Sequence, residues 1–280
     1  HAMPNAAGIR ACREAMPNIP HVAVFDTAFH STMPDVAKTY SLPRELCEKY
    51  SIKRYGAHGT SHKYVSLKTA EFLGKKPEDL KMVTLHLGNG SSITCVKGGK
   101  CVDTSMGLTP LAGVVMGTRS GGIDPSVVTY IMNKEGYTPD EMSNFMNKKS
   151  GLLGVSGISS DSRDIEAAIL ENDGIRSERA ALAANVLAYQ IQKYIGSYTA
   201  AMNGLDAIVF TAGMGENNPE LRERVCTNME FFGIKMDEAV NMSTRGENKL
   251  ISTPDSKVKV VVIPTDEEFM IASDTYELVK

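Results

Sequence analysis

The chain has 280 residues, of which 42% are hydrophobic and 22% charged, and its formal net charge is −3. This composition is typical of a globular protein with enough apolar residues for one large domain or two ordinary ones. The small negative charge argues against a basic nucleic-acid-binding surface. No stretch is apolar enough to span a bilayer, and the first residues lack the basic region and hydrophobic run of a signal peptide, so we expect a cytoplasmic protein without nucleic-acid or membrane partners. The five cysteines are an odd number without C-x-x-C spacing, which favours reduced thiols over disulfides or a zinc site.

Short apolar runs rich in Val, Ile and Phe alternate with longer stretches of helical period, which indicates an α/β fold. The second and third of these runs form a predicted hairpin, and Gly98-Gly99-Lys100 predicts the turn of a second one. In chain order, we predict strands at 22–26, 82–87, 92–96, 207–211 and 258–263. We predict four helices: one that begins near 164, one over 177–198, one that begins near 213 and one over 267–278.

The turn of the first hairpin reads Gly88-Asn89-Gly90-Ser91-Ser92. Asn-Gly favours a tight turn with positive φ, and glycines let backbone N–H groups approach an anion without a Cβ in the way. Turn chemistry alone also explains a Gly-Asn-Gly sequence. The choice between a phosphate-binding loop and an ordinary turn therefore depends on the rest of the chain.

Polar groups follow several other apolar runs, where α/β proteins place their ligand sites. Hydroxyls, imidazoles, an arginine and carboxylates occur there among small residues. They are Asp26; His58 and His62 within 54–62; Arg119 within the glycine-rich stretch 116–125; Asp161-Ser162-Arg163-Asp164; Gly213 to Asn217; and Asp266-Glu267-Glu268.

Each of these groups also has a purely structural interpretation. Asp26 and Asp161 fit helix or turn caps, one of His58 and His62 fits a structural hydrogen-bonding role, and Glu267 fits the acidic first turn of a helix. Arg119 is harder to explain by packing, because its loop offers little apolar surface. Together, phosphate-cradling glycines, an arginine, a histidine and carboxylates suited to Mg²⁺ indicate phosphoryl transfer.

Long ordered motifs along nearly the whole chain resemble the acetate kinase family. These motifs are 24–30 (Val-Phe-Asp-Thr-Ala-Phe-His), 54–56 with 58–62, 86–92 (His-Leu-Gly-Asn-Gly-Ser-Ser), 116–121 (Met-Gly-Thr-Arg-Ser-Gly) and 210–217 (Phe-Thr-Ala-Gly-Met-Gly-Glu-Asn). The resemblance implies the actin-like ATPase (ribonuclease H-like) fold shared by acetate and sugar kinases, heat-shock chaperones and actin. It also implies a homodimer that transfers a phosphoryl group from ATP to acetate, with Mg²⁺ or Mn²⁺, giving acetyl phosphate and ADP.

The same resemblance assigns roles to individual residues. Asp26 matches the family's catalytic aspartate, for which we prefer orientation of substrate or metal-bound water to general-base chemistry, because acetate is already a carboxylate. His58 and Arg119 match the pair that stabilises the transferring phosphoryl group. Glu267 matches the magnesium ligand. The nucleotide-binding loops match His86, Leu87, Gly88, Asn89, Gly90, Asp161, Ser162, Arg163, Gly213, Met214, Gly215, Glu216 and Asn217.

Against the family pattern, the chain is expected to lack an N-terminal part that carries an Asn near Mg²⁺ and an Arg that binds the acyl carboxylate. We therefore expect residues 1–28 to be a remnant of the N-terminal domain, 29–266 the C-terminal nucleotide-binding domain, and 267–280 a helix returning to the N-terminal domain. Ala57 stands where a Phe is expected, and Gly122 where an acid is expected.

These departures leave several functions open. The chain is an acetate kinase, a propionate kinase with an acyl pocket widened at Ala57, or a catalytically silent nucleotide-binding module. A chaperone-like or actin-like ATPase is disfavoured, because such a protein has no reason to carry the His58–His62 and Arg119 motifs.

Overall fold

In the computed structural model, which describes residues 2–280, six strands form one mixed sheet. The order across the sheet is β3-β2-β1-β4-β6-β5. The strands are β1 (Lys81–Leu87), β2 (Ser91–Lys97), β3 (Lys100–Thr104), β4 (Ala207–Thr211), β5 (Lys249–Leu250) and β6 (Lys259–Val262).

Helices cover both faces of this sheet. They are α1 (Ala2–Ala15), α2 (Asp35–Lys38), α3 (Arg44–Tyr50), α4 (Gly59–Phe72), α5 (Pro125–Glu135), α6 (Pro139–Lys148), α7 (Gly151–Ser156), α8 (Ser162–Leu170), α9 (Gly174–Met202), α10 (Ala212–Asn217), α11 (Pro219–Cys226), α12 (Glu238–Ser243) and α13 (Glu267–Val279). Short 3-10 helices span Ala28–Thr32, Pro77–Asp79 and Glu230–Phe232. None of the helices within residues 2–280 is both long and apolar enough to cross a membrane.

The pairing of the strands places three chain turns at one edge of the sheet. β1 pairs in parallel with β4, and β4 in parallel with β6, whereas β2, β3 and β5 pair antiparallel with their neighbours. Because the carboxyl ends of parallel strands meet at one edge, the segments that follow β1, β4 and β6 lie side by side.

Alternation along β1 decides which side chains face which helices. Val83, Leu85 and Leu87 point into the main core beneath α9, where Ile191 and Ile195 are buried. Met82 packs in the smaller core on the other face, against α4. Thr84 and His86 share that second face by the same alternation, so the imidazole of His86 faces α4 rather than the core under α9.

The predicted strands at 82–87, 92–96, 207–211 and 258–263 are confirmed, as are the two hairpins. The long helix extends beyond the predicted 177–198 at both ends. The predicted strand at 22–26 is wrong: that segment has no ladder partner among residues 2–280, and a strand requires one. The cysteines are free thiols, as expected. Residue 1 of the predicted 1–28 segment lies outside the described residues.

Candidate functional site

His58 stands immediately before α4 in the left-handed backbone conformation, with φ of 59°. Its backbone N–H donates to Oδ2 of Asp26 at 2.6 Å, and the next N–H, of Gly59, donates to the Asp26 carbonyl at 2.8 Å. A Cβ at Gly59 would lie 2.3 Å from that carbonyl oxygen, so only glycine permits this approach. Asp26 therefore does cap the turn into α4, while the rest of its carboxylate remains exposed.

The ring of His58 is held between a hydroxyl and a second imidazole. Nδ1 lies 2.9 Å from Oγ of Ser92, and the ring stacks on His86 with centroids 4.1 Å apart and planes 17° apart. Burial lowers the pKa of His58, against the opposing effect of the Asp26 charge. Burial also lowers the pKa of His86, to about 3. Both rings are therefore neutral near neutral pH.

Arg119 reaches the same place from a different loop. A methyl group built on Gly90 would lie 3.3 Å from Nη1 of Arg119 and 3.3 Å from Nε2 of His58. The guanidinium also donates to the carbonyl of Pro110 at 3.2 Å, which fixes its direction. The small volume beside Gly90 is thus bordered by a guanidinium nitrogen and an imidazole nitrogen, an arrangement suited to the oxygens of a phosphoryl group.

A buried polar layer beneath His58 was not predicted as a unit. His62 is fully buried, with Nδ1 2.7 Å from Oγ1 of Thr84 and Nε2 2.7 Å from Oγ of Ser92. Burial holds the pKa of His62 well below its usual range. On the other side, Nε2 of His30 donates to the carbonyl of Ala57 at 3.0 Å. Of the histidine pair in 58–62, His62 is therefore the structural member.

A cleft of about 490 Å³ opens beside this group. Eight of the thirteen predicted nucleotide-loop residues line it, together with Gly117 of the predicted 116–121 motif and with Ser160 and Asn218, which the sequence did not single out. The eight are Gly88, Asn89, Asp161, Ser162, Arg163, Gly213, Met214 and Asn217. His86 and Gly90 instead lie beside His58. Leu87 and Gly215 are buried, and the carboxylate of Glu216 accepts the N–H of Ala212 at the start of its own helix, α10.

Asp161 begins α8 as its N-cap, accepting the backbone N–H of Arg163 at 2.9 Å. The Arg163 side chain folds back to pair with the same carboxylate through Nε and Nη2. These hydrogen bonds from Arg163 lower the pKa of Asp161. The capping interpretation is therefore confirmed, and the cap also places Ser162 and Arg163 at the wall of the cleft.

Helix α10, which directly follows β4, is braced by a buried arginine that sequence reasoning missed. Arg222 is fully buried, and its guanidinium donates to the carbonyls of Gly215, Glu216, Asn241 and Thr244 and to Oδ1 of Asn241. Oε1 of Glu216 accepts the N–H of Ala212 at 2.8 Å and that of Thr265 at 3.2 Å. Glu216 thereby joins the ends of β4 and β6, and no local signal marks Arg222 because its partners lie up to 22 residues away.

Glu267 lies in the first turn of α13, half-buried. Burial, and then the negative charges of Asp26 and Glu268, raise the pKa of its carboxyl group. Mg²⁺ in phosphate-transfer sites uses one or two carboxylates together with phosphates and waters. The pair of Glu267 and Asp26 fits that type of site, whereas a cage of three or more protein ligands is absent within the described part of the chain.

Comparison with known proteins identifies the family. The Acetokinase family profile matches residues 1–273. The chain belongs to this family. It is 59% identical over 280 residues to acetate kinase of Thermoanaerobacter pseudethanolicus and 58% identical to that of Bacillus subtilis, covering 69% and 70% of those proteins.

Solved structures of the family agree with this fold. The crystal structure of Porphyromonas gingivalis acetate kinase matches with a TM-score of 0.95 and 51% identity, over 99% of this chain and 68% of that one. A propionate kinase from Francisella tularensis subsp. tularensis matches with a TM-score of 0.87 and 44% identity, over 96% of this chain and 67% of that one. The predicted α/β fold of the acetate kinase family is thus confirmed.

Proposed function

We propose that this chain is an acetate kinase, which reversibly transfers the γ-phosphoryl group of ATP to acetate, giving acetyl phosphate and ADP. The observation that carries the proposal is the convergence of His58 Nε2 and Arg119 Nη1 on the space beside Gly90, next to Asp26 and the cleft. Family membership supports the choice of acceptor and donor.

In this reaction, a carboxylate oxygen of acetate attacks the γ-phosphorus while the bond to the β-phosphate oxygen breaks, and ADP leaves with the electron pair. Negative charge spreads over the three equatorial oxygens. Arg119 places a permanent positive charge there. His58 is neutral, so its ring nitrogen can lie against these oxygens without a second buried cation. Acetate needs no deprotonation, so Asp26 orients the reacting groups rather than acting as a base.

The residues lining the cleft hold the nucleotide in this proposal. Gly88, Asn89 and Gly213 line the cleft together with Asp161, Ser162 and Arg163, and the Gly88 N–H donates to the Gly90 carbonyl at 3.2 Å, which holds this loop tight. The unit 29–266 is the proposed nucleotide-binding domain, with α13 packed on α4 through Lys63 and Asp274 and through Tyr64 and Phe269.

Glu267 is the proposed protein ligand of Mg²⁺. The cation neutralises the phosphate oxygens when it is bound. Burial, and then the negative charges of Asp26 and Glu268, raise the pKa of Glu267, and a bound cation would favour its charged form. We also propose a homodimer, because large side chains such as Tyr130 and Tyr189 stay exposed on α5 and α9.

Propionate kinase is the second candidate. Ala57, directly before His58, is small where the family pattern has a Phe, and the chain also matches a propionate kinase structure. The ratio of kcat/KM for acetate to that for propionate separates the two, and we expect acetate to be preferred.

The test is hydroxylamine trapping of the acyl phosphate made from ATP and acetate, beside calorimetric titration with ADP and Mg²⁺. We expect both turnover and binding. Binding without acyl hydroxamate would support a catalytically silent nucleotide-binding module instead. Absence of both, in protein that is folded by circular dichroism, would reject the proposal.

A further inference from the structure

The His86 imidazole makes one hydrogen bond and leaves its other nitrogen uncovered. Nδ1 lies 2.8 Å from Oγ of Ser61, which is fully buried in the first turn of α4. Nε2 has no partner among residues 2–280. Because no fully buried side-chain nitrogen or oxygen in this range lacks a partner, Nε2 is within reach of solvent at the end of β1.

A second hydroxyl decides where the Ser61 proton points. Oγ1 of Thr265 donates to Oγ of Ser61 at 2.8 Å, and Thr265 is held in turn by its N–H to Glu216. The Ser61 oxygen therefore accepts from Thr265, and its own single proton is directed to Nδ1 of His86.

Neutral imidazole carries one proton, so the nitrogen that accepts fixes the other as donor. Burial keeps His86 neutral by lowering its pKa to about 3. With Nδ1 accepting from Ser61, the proton resides on Nε2, the nitrogen left uncovered.

We propose that Ser61 is a positioning residue, which fixes His86 as the Nε2-protonated tautomer and so presents it as a neutral hydrogen-bond donor to the transferred phosphoryl group. This inference rests on the proposed kinase function. The opposite tautomer would turn a lone pair toward anionic oxygens and repel them.

The stack on His58 explains why a neutral donor suits this position. The two ring centroids are 4.1 Å apart, so protonation of one ring opposes protonation of the other. Arg119 already provides a cation beside His58. His86 thus adds a directed N–H without a second charge that the buried site would have to accommodate.

The direct test is ¹⁵N-edited NMR of the full chain labelled on histidine, with His86 assigned by its loss in His86→Gln. We expect a bare Nδ1 and a protonated Nε2, with the Nε2 signal shifting on addition of MgATP. A protonated Nδ1, or a Nε2 signal unmoved by ATP that calorimetry shows to bind, would overturn the proposal. This readout is independent of turnover, so a loss of the proposed function is seen separately in the acyl hydroxamate assay.

The variant test is Ser61→Ala, for which we expect a mixture of His86 tautomers and a kcat lowered on the order of tenfold, with KM for ATP changed less. Ser61→Thr, which keeps the hydroxyl, is expected to restore both. Ser66→Ala is the matched control: Ser66 is a buried serine of the same helix that donates to the carbonyl of Lys63 at 2.8 Å.

Thr265→Val keeps Ser61 but removes the donor that directs its proton, and it applies if Ser61→Ala does not fold. It is expected to give mixed tautomers as well. A single Nε2-protonated tautomer in a folded Ser61→Ala or Thr265→Val protein would contradict the proposal, as would a Ser66→Ala protein with the same loss of kcat.

Discussion

The backbone N–H of His58 donates to the carboxylate of Asp26 at 2.6 Å. This bond joins the segment before the first 3-10 helix to the N-terminus of α4, and it orients His58 toward Gly90 and Arg119. Asp26 therefore has a structural task that is separate from its charge.

Replacing Asp26 separates those two tasks. Asp26→Asn keeps an oxygen that accepts the His58 N–H, so we expect the melting temperature to stay near that of the wild type, while loss of the charge lowers kcat on the order of 100-fold. Asp26→Ala removes the acceptor as well and should cost about 1 kcal/mol of stability. Steady-state kinetics measure kcat, and thermal unfolding measures stability. A wild-type kcat for Asp26→Asn would show that Asp26 acts only as a structural cap.

Stability should fall as the pH drops below the ordinary pKa of histidine. Burial lowers the pKa values of His30, His58, His62 and His86 from 6.5. Below pH 6.5 the unfolded chain therefore binds more protons than the folded chain. The stabilisation is complete above pH 6.5 and is lost as the pH falls toward the pKa of each histidine in the folded chain, which is about 3 for His86. Each such proton gives a slope of about 1.4 kcal/mol per pH unit.

Urea unfolding between pH 7 and pH 5 measures this slope above the ordinary pKa values of carboxylates. A free energy of unfolding that is flat across this window would show that the buried histidines are not held neutral.

Filling the cleft should weaken nucleotide binding without unfolding the chain. Gly213 lines the cleft, and a Cβ built there meets no atom within 4 Å. We expect Gly213→Leu to raise the Kd for ADP at least about tenfold, which corresponds to about 1.4 kcal/mol. Gly196→Leu is matched, since Gly196 also has open space but lies on α9 outside the cleft. Equal affinities of the two variants would place the nucleotide elsewhere.

Arg222 should be important for stability, because its fully buried guanidinium donates to carbonyl groups of both α10 and α12. Its removal takes one donor from each of four carbonyls and from Oδ1 of Asn241, so Arg222→Met is expected to cost about 3–5 kcal/mol. Arg176→Ala, which breaks an exposed pair with Glu171, should change stability by less than about 0.5 kcal/mol. Chemical denaturation measures the free energy of unfolding of the two variants. An equal loss in both would contradict the role assigned to Arg222.

Periodicity and turn chemistry predicted the sheet well. The strand at 207–211 matches β4 residue for residue, because a short apolar run ends there at a glycine-containing segment, which forms α10. The apolar run 22–26 fits a strand equally well but lacks a partner in the described sheet. The sequence of one segment does not show whether a second segment will pair with it.

The candidate site was predictable where its residues form ordered motifs, as with Asp26, His58, Arg119 and the glycine loops. The layer that supports them was not. Ser61 and Thr265 are 204 residues apart, and Arg222 bonds to carbonyls that any residue could provide. Such contacts follow from the tertiary fold and leave no local pattern in the sequence.

The central claim is that His58 and Arg119 act on the same phosphoryl group, and a double-mutant cycle on kcat tests it most directly. His58→Asn suits the left-handed backbone at that position, and Arg119→Gln removes the guanidinium. We expect each single variant to lose on the order of 100-fold, and the double variant to lose far less than the product of the two. Losses that multiply in full, or a single variant with the wild-type rate, would contradict the account.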